Sequence, residues 1–328
     1  MKKSVLIVRF SSLGDVVLTT GVIRELATQF PEIEIDVVTS KKFSEVYTNS
    51  PYIRNCFEVD TSQSALKMAL SRSKVFHSKY DYIFDLQNSL RSMLFTFGLS
   101  SKIARVAKFR MEKLAMVRKK ERLQLPSIPD RYRSTVQQFF SVKNDNSGLE
   151  LFVTTFPQQL IPHRIGIAPG AKHFTKRLPL EKWKDVIDGL LQKGFEITVL
   201  GGIEDKEVCR ELAEFDNERI NNCGGATSLR QTVEAIQECQ VVISNDSSVA
   251  HIASACKVPI VSIFGSTTPG FGFLPYQTQN IVIENVSLKC RPCTHIGRSS
   301  CPLGHFECMN SIQPTSIVDA VVQLTKNT

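Results

Sequence analysis

The stretch VVISNDSSVAHIASACKVPIVSIFGSTTPG, residues 241–270, passes from strand through polar turn and short helix to a second strand without interruption. Val241, Val242 and Ile243 are an apolar β-branched run, and Ser244, Asn245, Asp246, Ser247 and Ser248 then supply side chains that start helices. Small residues fill the expected helix Val249 to Cys256, and Pro259 to Phe264 forms the next apolar run, ending at Gly265. That is a closely packed β-α-β unit. The first N–H groups of such a helix lack intrahelical partners and sit at the positive end of its dipole, so an anion, above all a phosphate, is favoured there. His251, one turn in, adds a candidate donor. The plainer alternative is that Asp246 or Ser247 merely caps the helix and His251 is a buried neutral side chain.

The same alternation fills the rest of the chain. Ser4 to Phe10 reads as a strand, followed by the turn Ser11-Ser12-Leu13-Gly14-Asp15 and a helix from Val16 to Gln29. Strands follow at Ile33–Thr39, Cys56–Val59 and Tyr80–Leu86. A polar turn at Asn144–Gly148 and the two prolines of Pro157–His163 suggest a linker near 150–163, which divides the chain into domains 1–155 and 156–328. The second domain repeats the pattern with strand Ile165–Ala168, helix Leu180–Leu191, strand Glu196–Leu200, helix Lys206–Phe215, strand Asn221–Cys223 and helix Leu229–Glu238. The expected fold is α/β, with two doubly wound Rossmann-like domains facing a cleft.

At 328 residues, 42% hydrophobic, the chain is long enough for two cores. No apolar run near the N-terminus is long enough for a signal peptide or a membrane span, since Val5–Val8 is broken by Arg9. The expectation is a cytoplasmic protein. The net charge of +8 is concentrated between Lys102 and Arg122, where nine basic residues face only Glu112 and Glu121 with apolar residues between them. Such a segment suits anionic lipid or an acidic saccharide, or is a solvated helix face; a nucleic-acid reader motif is absent. Of nine cysteines, Cys56, Cys209, Cys223, Cys239 and Cys256 are scattered as small buried groups are, against a disulfide scaffold. Cys290, Cys293, Cys301 and Cys308 cluster with His295 and His305, a spacing that suits a structural zinc site or else free or paired thiols.

Ligands of doubly wound sheets sit beyond the carboxyl ends of strands, so the loops there carry the chemistry. Asp15 is placed as helix cap or general base behind Ser11, Ser12 and Gly14. The loop Pro169–Pro179 is glycine-bearing and cationic, and its Lys176 suits a departing diphosphate. After the next strand, Glu204 and Asp205 suit ribose hydroxyls.

The motifs R-F-S-S-L-G-D at 9–15, P-G-A-x4-K-R-L-P at 169–179, L-G-G at 200–202, N-D-S-S-V-A-H at 245–251 and F-G-S-T-T-P at 264–269 resemble glycosyltransferase family 9 over nearly the whole chain. These are the ADP-heptose:lipopolysaccharide heptosyltransferases, and the cysteine tail is similar to that of the heptosyltransferase II type. The resemblance implies a GT-B fold, and an inverting transfer of heptose from ADP-L-glycero-D-manno-heptose to a Kdo- or heptose-bearing lipid A core at the cytoplasmic face of the inner membrane. It also implies that no metal cofactor is required. Asp15 would be the base; Lys176, Asp246, Ser247, Ser248 and His251 would hold the donor phosphates, with Glu204 or Asp205 near the ribose. The 102–122 segment would make peripheral membrane contact with the anionic acceptor, and the helix from Pro314 to Thr325 would pack back toward the first domain. Leu178, Ser248 and Ser266 depart from the family's usual Trp, Gly and Pro, which bears on the donor sugar. The alternatives are a related transferase using another nucleotide-sugar, or a non-catalytic nucleotide-sugar-binding relative.

Overall fold

The computed structural model describes residues 2–72, 79–153, 159–216, 218–225 and 228–326. Two compact units form, one from Met1–Lys108 with Pro126–Val153, the other from Phe109–Leu125 with Thr154–Thr328. A single division at 155 does not describe this arrangement, because Met116 and Leu125 are buried with Phe271 and so draw the 109–125 segment into the second unit. Of the expected linker at 150–163, residues 154–158 lie outside the described residues.

In the first unit, strands β1 (Lys3–Val8), β2 (Ile33–Ser40), β3 (Asn55–Val59), β4 (Tyr82–Asp85) and β5 (Ile103–Arg105) form a sheet in the order β3-β2-β1-β4-β5. In the second, β6 (Arg164–Ala168), β7 (Glu196–Gly201), β8 (Ile220–Gly224), β9 (Val241–Asn245), β10 (Ile260–Phe264) and β11 (Asn280–Glu284) are ordered β11-β10-β9-β6-β7-β8. All pairs are parallel. The central strands read as unbroken apolar runs because helices cover both faces, leaving Val5–Val8 and Val241–Ile243 with no exposed surface. Each order reverses once, between β1 and β4 and between β6 and β9. There the loops leaving adjacent strands part to opposite faces and open a crevice.

Several elements differ from the sequence reading for local reasons. The helix expected at 16–29 is two, Leu13–Val17 and Thr20–Gln29. Thr19 and Thr20 donate their hydroxyls to the carbonyls of Val16 and Val17, competing with the backbone ladder where the helix breaks. Strands β5 and β11 and helix Ile128–Val136 were not expected. That helix is started by Ser127, whose hydroxyl accepts from the Asp130 N–H at 3.2 Å, with Pro129 in its first turn.

The second core centres on helix Leu180–Gln192, whose Trp183, Val186, Ile187, Leu190 and Leu191 follow helical spacing and are all buried. Helix Pro314–Thr325 packs against it inside the same unit. Gly189 permits the approach, since a Cβ there would lie 3.1 Å from Val318. Leu190→Ala should lower the unfolding free energy of this unit by about 2–5 kcal/mol. Denaturant titration followed by fluorescence of Trp183, the chain's one tryptophan, measures it directly.

Candidate functional site

Beyond the carboxyl end of β1, Ser12 takes the N-cap position of helix Leu13–Val17 and Asp15 lies in its first turn. The Asp15 carboxylate accepts from the Ser12 hydroxyl at 2.8 Å and the Ser12 N–H at 3.2 Å, and it pairs with the Arg9 guanidinium at 2.7 Å. The hydroxyl of Ser12 is thus engaged by Asp15, while Gly14 is buried in the turn. Burial works against the Arg9 charge, but Asp15 together with Tyr132 and Tyr47 outweighs it and holds the guanidinium above its ordinary pKa. Arg9 also donates to the Leu86 carbonyl at 2.6 Å and lies over the Tyr132 ring, so the carboxylate is oriented by a cation that is itself fixed.

Gln87, which the sequence reading passed over, ties this loop to the one after β4. Its side-chain oxygen accepts from the N–H groups of Phe10 and Ser11. Gln87 is set in turn by buried Asp85, which accepts from the N–H groups of Gln87 and Asn88 and from the Ser92 hydroxyl. The rule that singled out the loop after β1 applies equally to the loop after β4, so the signal was present.

At the switch point of the second sheet, Lys176 from the loop after β6 meets Asp246 from the end of β9 at 2.6 Å. Both are mostly buried, and Thr267 adds a hydroxyl to the same carboxylate oxygen at 2.8 Å. Among the residues expected to form a phosphate site, Lys176 and Asp246 are thus brought into direct contact. Ser247 is the N-cap of helix Ser248–Ala255, yet its hydroxyl lies 3.1 Å from that of Ser244 and makes no cap bond. Ser248 is the first helical residue and half-buried; His251 is buried, with Phe273 beside its ring. Glu204 is exposed. Asp205 accepts from the Gly202 N–H at 3.1 Å and packs against Gly170, where an added Cβ would come within 2.2 Å of its carboxyl carbon. Burial raises the Asp205 pKa.

The Lys176 loop is anchored at three places. Buried Asn245 accepts from the Leu178 N–H and donates to the Pro169 carbonyl, clamping both ends of the loop to β9. Thr175 exchanges hydrogen bonds with both backbone groups of Arg298 and accepts from the Ser266 hydroxyl at 2.9 Å. The Cys293 N–H in turn donates to the Ser266 carbonyl.

Comparison with known proteins fits this geometry. The model of glycosyltransferase family 9 (heptosyltransferase) matches residues 69–303, more than half of the chain. The chain belongs to this family. It is a glycosyltransferase, and its two Rossmann-like units are those of the GT-B fold. A protein of Escherichia coli K12 named lipopolysaccharide heptosyltransferase 2 is 24% identical over 301 residues, spanning 81% of this chain and 84% of its own. The solved structure of a family 9 glycosyltransferase from Veillonella parvula aligns over 100% of this chain and 99% of its own, with a TM-score of 0.80 and 21% identity. An E. coli heptosyltransferase solved with ADP-2-deoxy-2-fluoro heptose covers 99% of each chain at a TM-score of 0.71 and 18% identity.

Against the family pattern, the departures Leu178 and Ser266 have structural uses in this glycosyltransferase. Leu178 is buried in the second core, and fully buried Ser266 holds Thr175. Among the described residues no three His, Cys, Asp or Glu side chains are gathered closely enough to hold a metal ion, although Cys290, Cys293, Cys301 and Cys308 lie near enough to act on one another's charge. Cys308 is packed into the second core, where burial pushes its thiol up to about 12 and keeps it protonated. The anchoring residue of C-R-P-C is Arg291, which donates to the carbonyls of Phe264, Gly265, Thr267 and Asn285 and pairs with Glu284 at 2.6 Å.

The basic residues 102–122 comprise β5, a connection and helix Arg110–Arg118. Beyond that helix Lys120 donates to the carbonyls of Cys290 and Pro292, and Arg122 to that of Val286. Thr175→Val should strip Arg298 and Ser266 of a buried partner and destabilise the second unit by about 1–3 kcal/mol. The shift in the Trp183 unfolding midpoint checks it, and an unchanged midpoint would show the anchor to be dispensable.

Proposed function

We propose that this protein transfers heptose from ADP-L-glycero-D-manno-heptose to the Kdo- or heptose-bearing lipid A inner core, with inversion at the anomeric carbon. The observation that carries the reading is the Lys176–Asp246 pair at the switch point of the second sheet, beside the start of helix Ser248–Ala255. The names of the relatives, a lipopolysaccharide heptosyltransferase and a heptosyltransferase solved with an ADP-heptose analogue, support the same donor and acceptor.

In the proposed reaction the acceptor hydroxyl oxygen bonds to C1 of the heptose as the bond from C1 to the diphosphate oxygen breaks. Asp15 takes the hydroxyl proton, and ADP leaves with the electron pair. A sugar hydroxyl is a weak nucleophile, and a fixed carboxylate removes its proton as the new bond forms. Lys176 and the helix start supply positive charge to the departing diphosphate, so the scheme draws on no metal ion. Asp246 carries the same sign as the phosphates; its part is to hold Lys176 in place and to accept from a sugar hydroxyl. Ser247, Ser248 and His251 line the helix start, and Glu204 or Asp205 takes the ribose. Among the described residues no helix is long and apolar enough to cross a membrane. The protein acts at the cytoplasmic face of the inner membrane, where exposed Arg110, Arg118 and Lys119 suit the anionic acceptor.

Calorimetry with ADP, UDP and GDP tests the donor. Selective ADP binding that falls about 10- to 100-fold in Lys176→Ala, the cost of a charged hydrogen bond, is the expected result, and preference for UDP or GDP overturns the heptose assignment. Asp15→Asn should bind ADP as the wild type does while losing at least about 100-fold in turnover, read by ADP release. Retained turnover would remove Asp15 from the base role.

A further inference from the structure

The first unit carries an apolar surface that the transfer chemistry does not use. Helix Ala65–Ser71 exposes Leu66 and Leu70, four residues apart and so on one face, with 64% and 71% of their surfaces open. Helix Leu90–Thr96 exposes Leu90 and Leu94 on a like spacing, and Phe97, its C-cap, is 76% exposed. The two helices pack on each other. Arg72, at the end of the first, donates to the carbonyls of Leu94, Phe95 and Phe97 at the end of the second, which brings Leu70 and Phe97 to the same edge. Their opposite faces are spent on the core, with Met68 and Phe95 buried beside Leu6 and Val8.

The charged residues on the two helices themselves are all basic. There is no Asp or Glu from Thr61 to Arg72 or from Leu86 to Lys108, while Lys67, Arg72 and Arg91 lie on the two helices or at their ends. Asp60, which precedes them, is occupied by Ser62 and Gln63. Large side chains exposed at adjacent positions and bordered by cations suit neither bulk water nor a neutral protein surface. They suit the boundary of an anionic bilayer, where apolar groups enter the acyl region and basic groups meet headgroups.

We propose that helices Ala65–Ser71 and Leu90–Thr96 dock the first unit onto an anionic lipid bilayer, with Leu66, Leu70, Leu90 and Phe97 entering its surface. The inference deepens the reading of a lipid-linked acceptor and rests on it for its purpose. Vesicle binding tests the surface without any turnover, whereas transfer by the wild type to a delipidated core oligosaccharide tests that reading, so the two can fail separately.

The experiment is co-sedimentation of the full chain with phosphatidylcholine vesicles, with and without phosphatidylglycerol. The wild type should bind the anionic vesicles and release from them as salt rises, and the double variant Leu70→Glu/Phe97→Glu should bind about tenfold or more weakly. Should that variant fail to fold, Phe97→Trp decides: its emission should move to the blue on adding anionic vesicles, against the constant signal of buried Trp183. Wild-type protein that ignores the vesicles, a double variant that binds them as well as the wild type, or a Phe97→Trp emission that does not move overturns the proposal. So does a lipid-free dimer abolished by the same two substitutions, which would assign the surface to a second copy of the chain.

Discussion

The place of Lys176 depends on one buried carboxamide. The loop after β6 runs through partly buried space, and its backbone groups must find partners there. Asn245 provides them from the last position of β9, accepting at Leu178 and donating at Pro169. A residue without both a donor and an acceptor at that position would leave one end of the loop unsatisfied. Between those ends, Thr175 hands the loop on to Arg298, so the tail of the chain, far from the sheet in sequence, fixes the residue next to Lys176. The ion pair with Asp246 can then be short because both partners arrive on braced backbone.

The first unit solves the same problem with a carboxylate. Asp85 ends β4, is fully buried, and has burial pulling its pKa up while the Asn88 and Gln87 N–H groups and the Ser92 hydroxyl oppose this. By folding the following loop back on itself it turns Gln87 toward the loop after β1. Asp15 is therefore held from two directions, by Arg9 within its own loop and by the β4 loop through Gln87. In both sheets a polar residue at the carboxyl end of a central strand, next to the reversal of strand order, does the positioning. Hydrophobic burial sets the strands, and these few satisfied polar groups set the chemistry.

Much of this was legible in the sequence because its signals are local. Apolar runs, glycine turns and serine caps are read over a few residues, and they located β6, β7, β9 and β10 and the loops that follow. Asp15 and Lys176 were found by the rule that ligands gather at strand ends. What was not legible depends on partners distant in sequence. Nothing in C-R-P-C says that the arginine anchors the end of β10. Asp246 reads equally as a helix cap or as part of an anion site, and its ion pair with Lys176, seventy residues upstream, is not visible in the local sequence. Helix Arg110–Arg118 reads as a free basic face until Phe271 is found behind Met116. Short β5 and half-exposed β11 lack the burial that makes a strand conspicuous.

The segment Phe109–Leu125 belongs to the second unit by its packing but to the first by its position in the chain. Leu125 donates its N–H to the Gly270 carbonyl, and a Cβ on Gly270 would come within 2.6 Å of the Leu123 carbonyl oxygen. A fragment cut at the apparent linker would leave this strap behind with the wrong half. Phe271 would then face water, and the carbonyls of Cys290 and Pro292 would lose the Lys120 ammonium. Although each half resembles a self-sufficient Rossmann-like fold, the second unit takes in a thread that the chain sends out between two segments of the first. The chain passes from one unit to the other three times, so no single cut separates the two units.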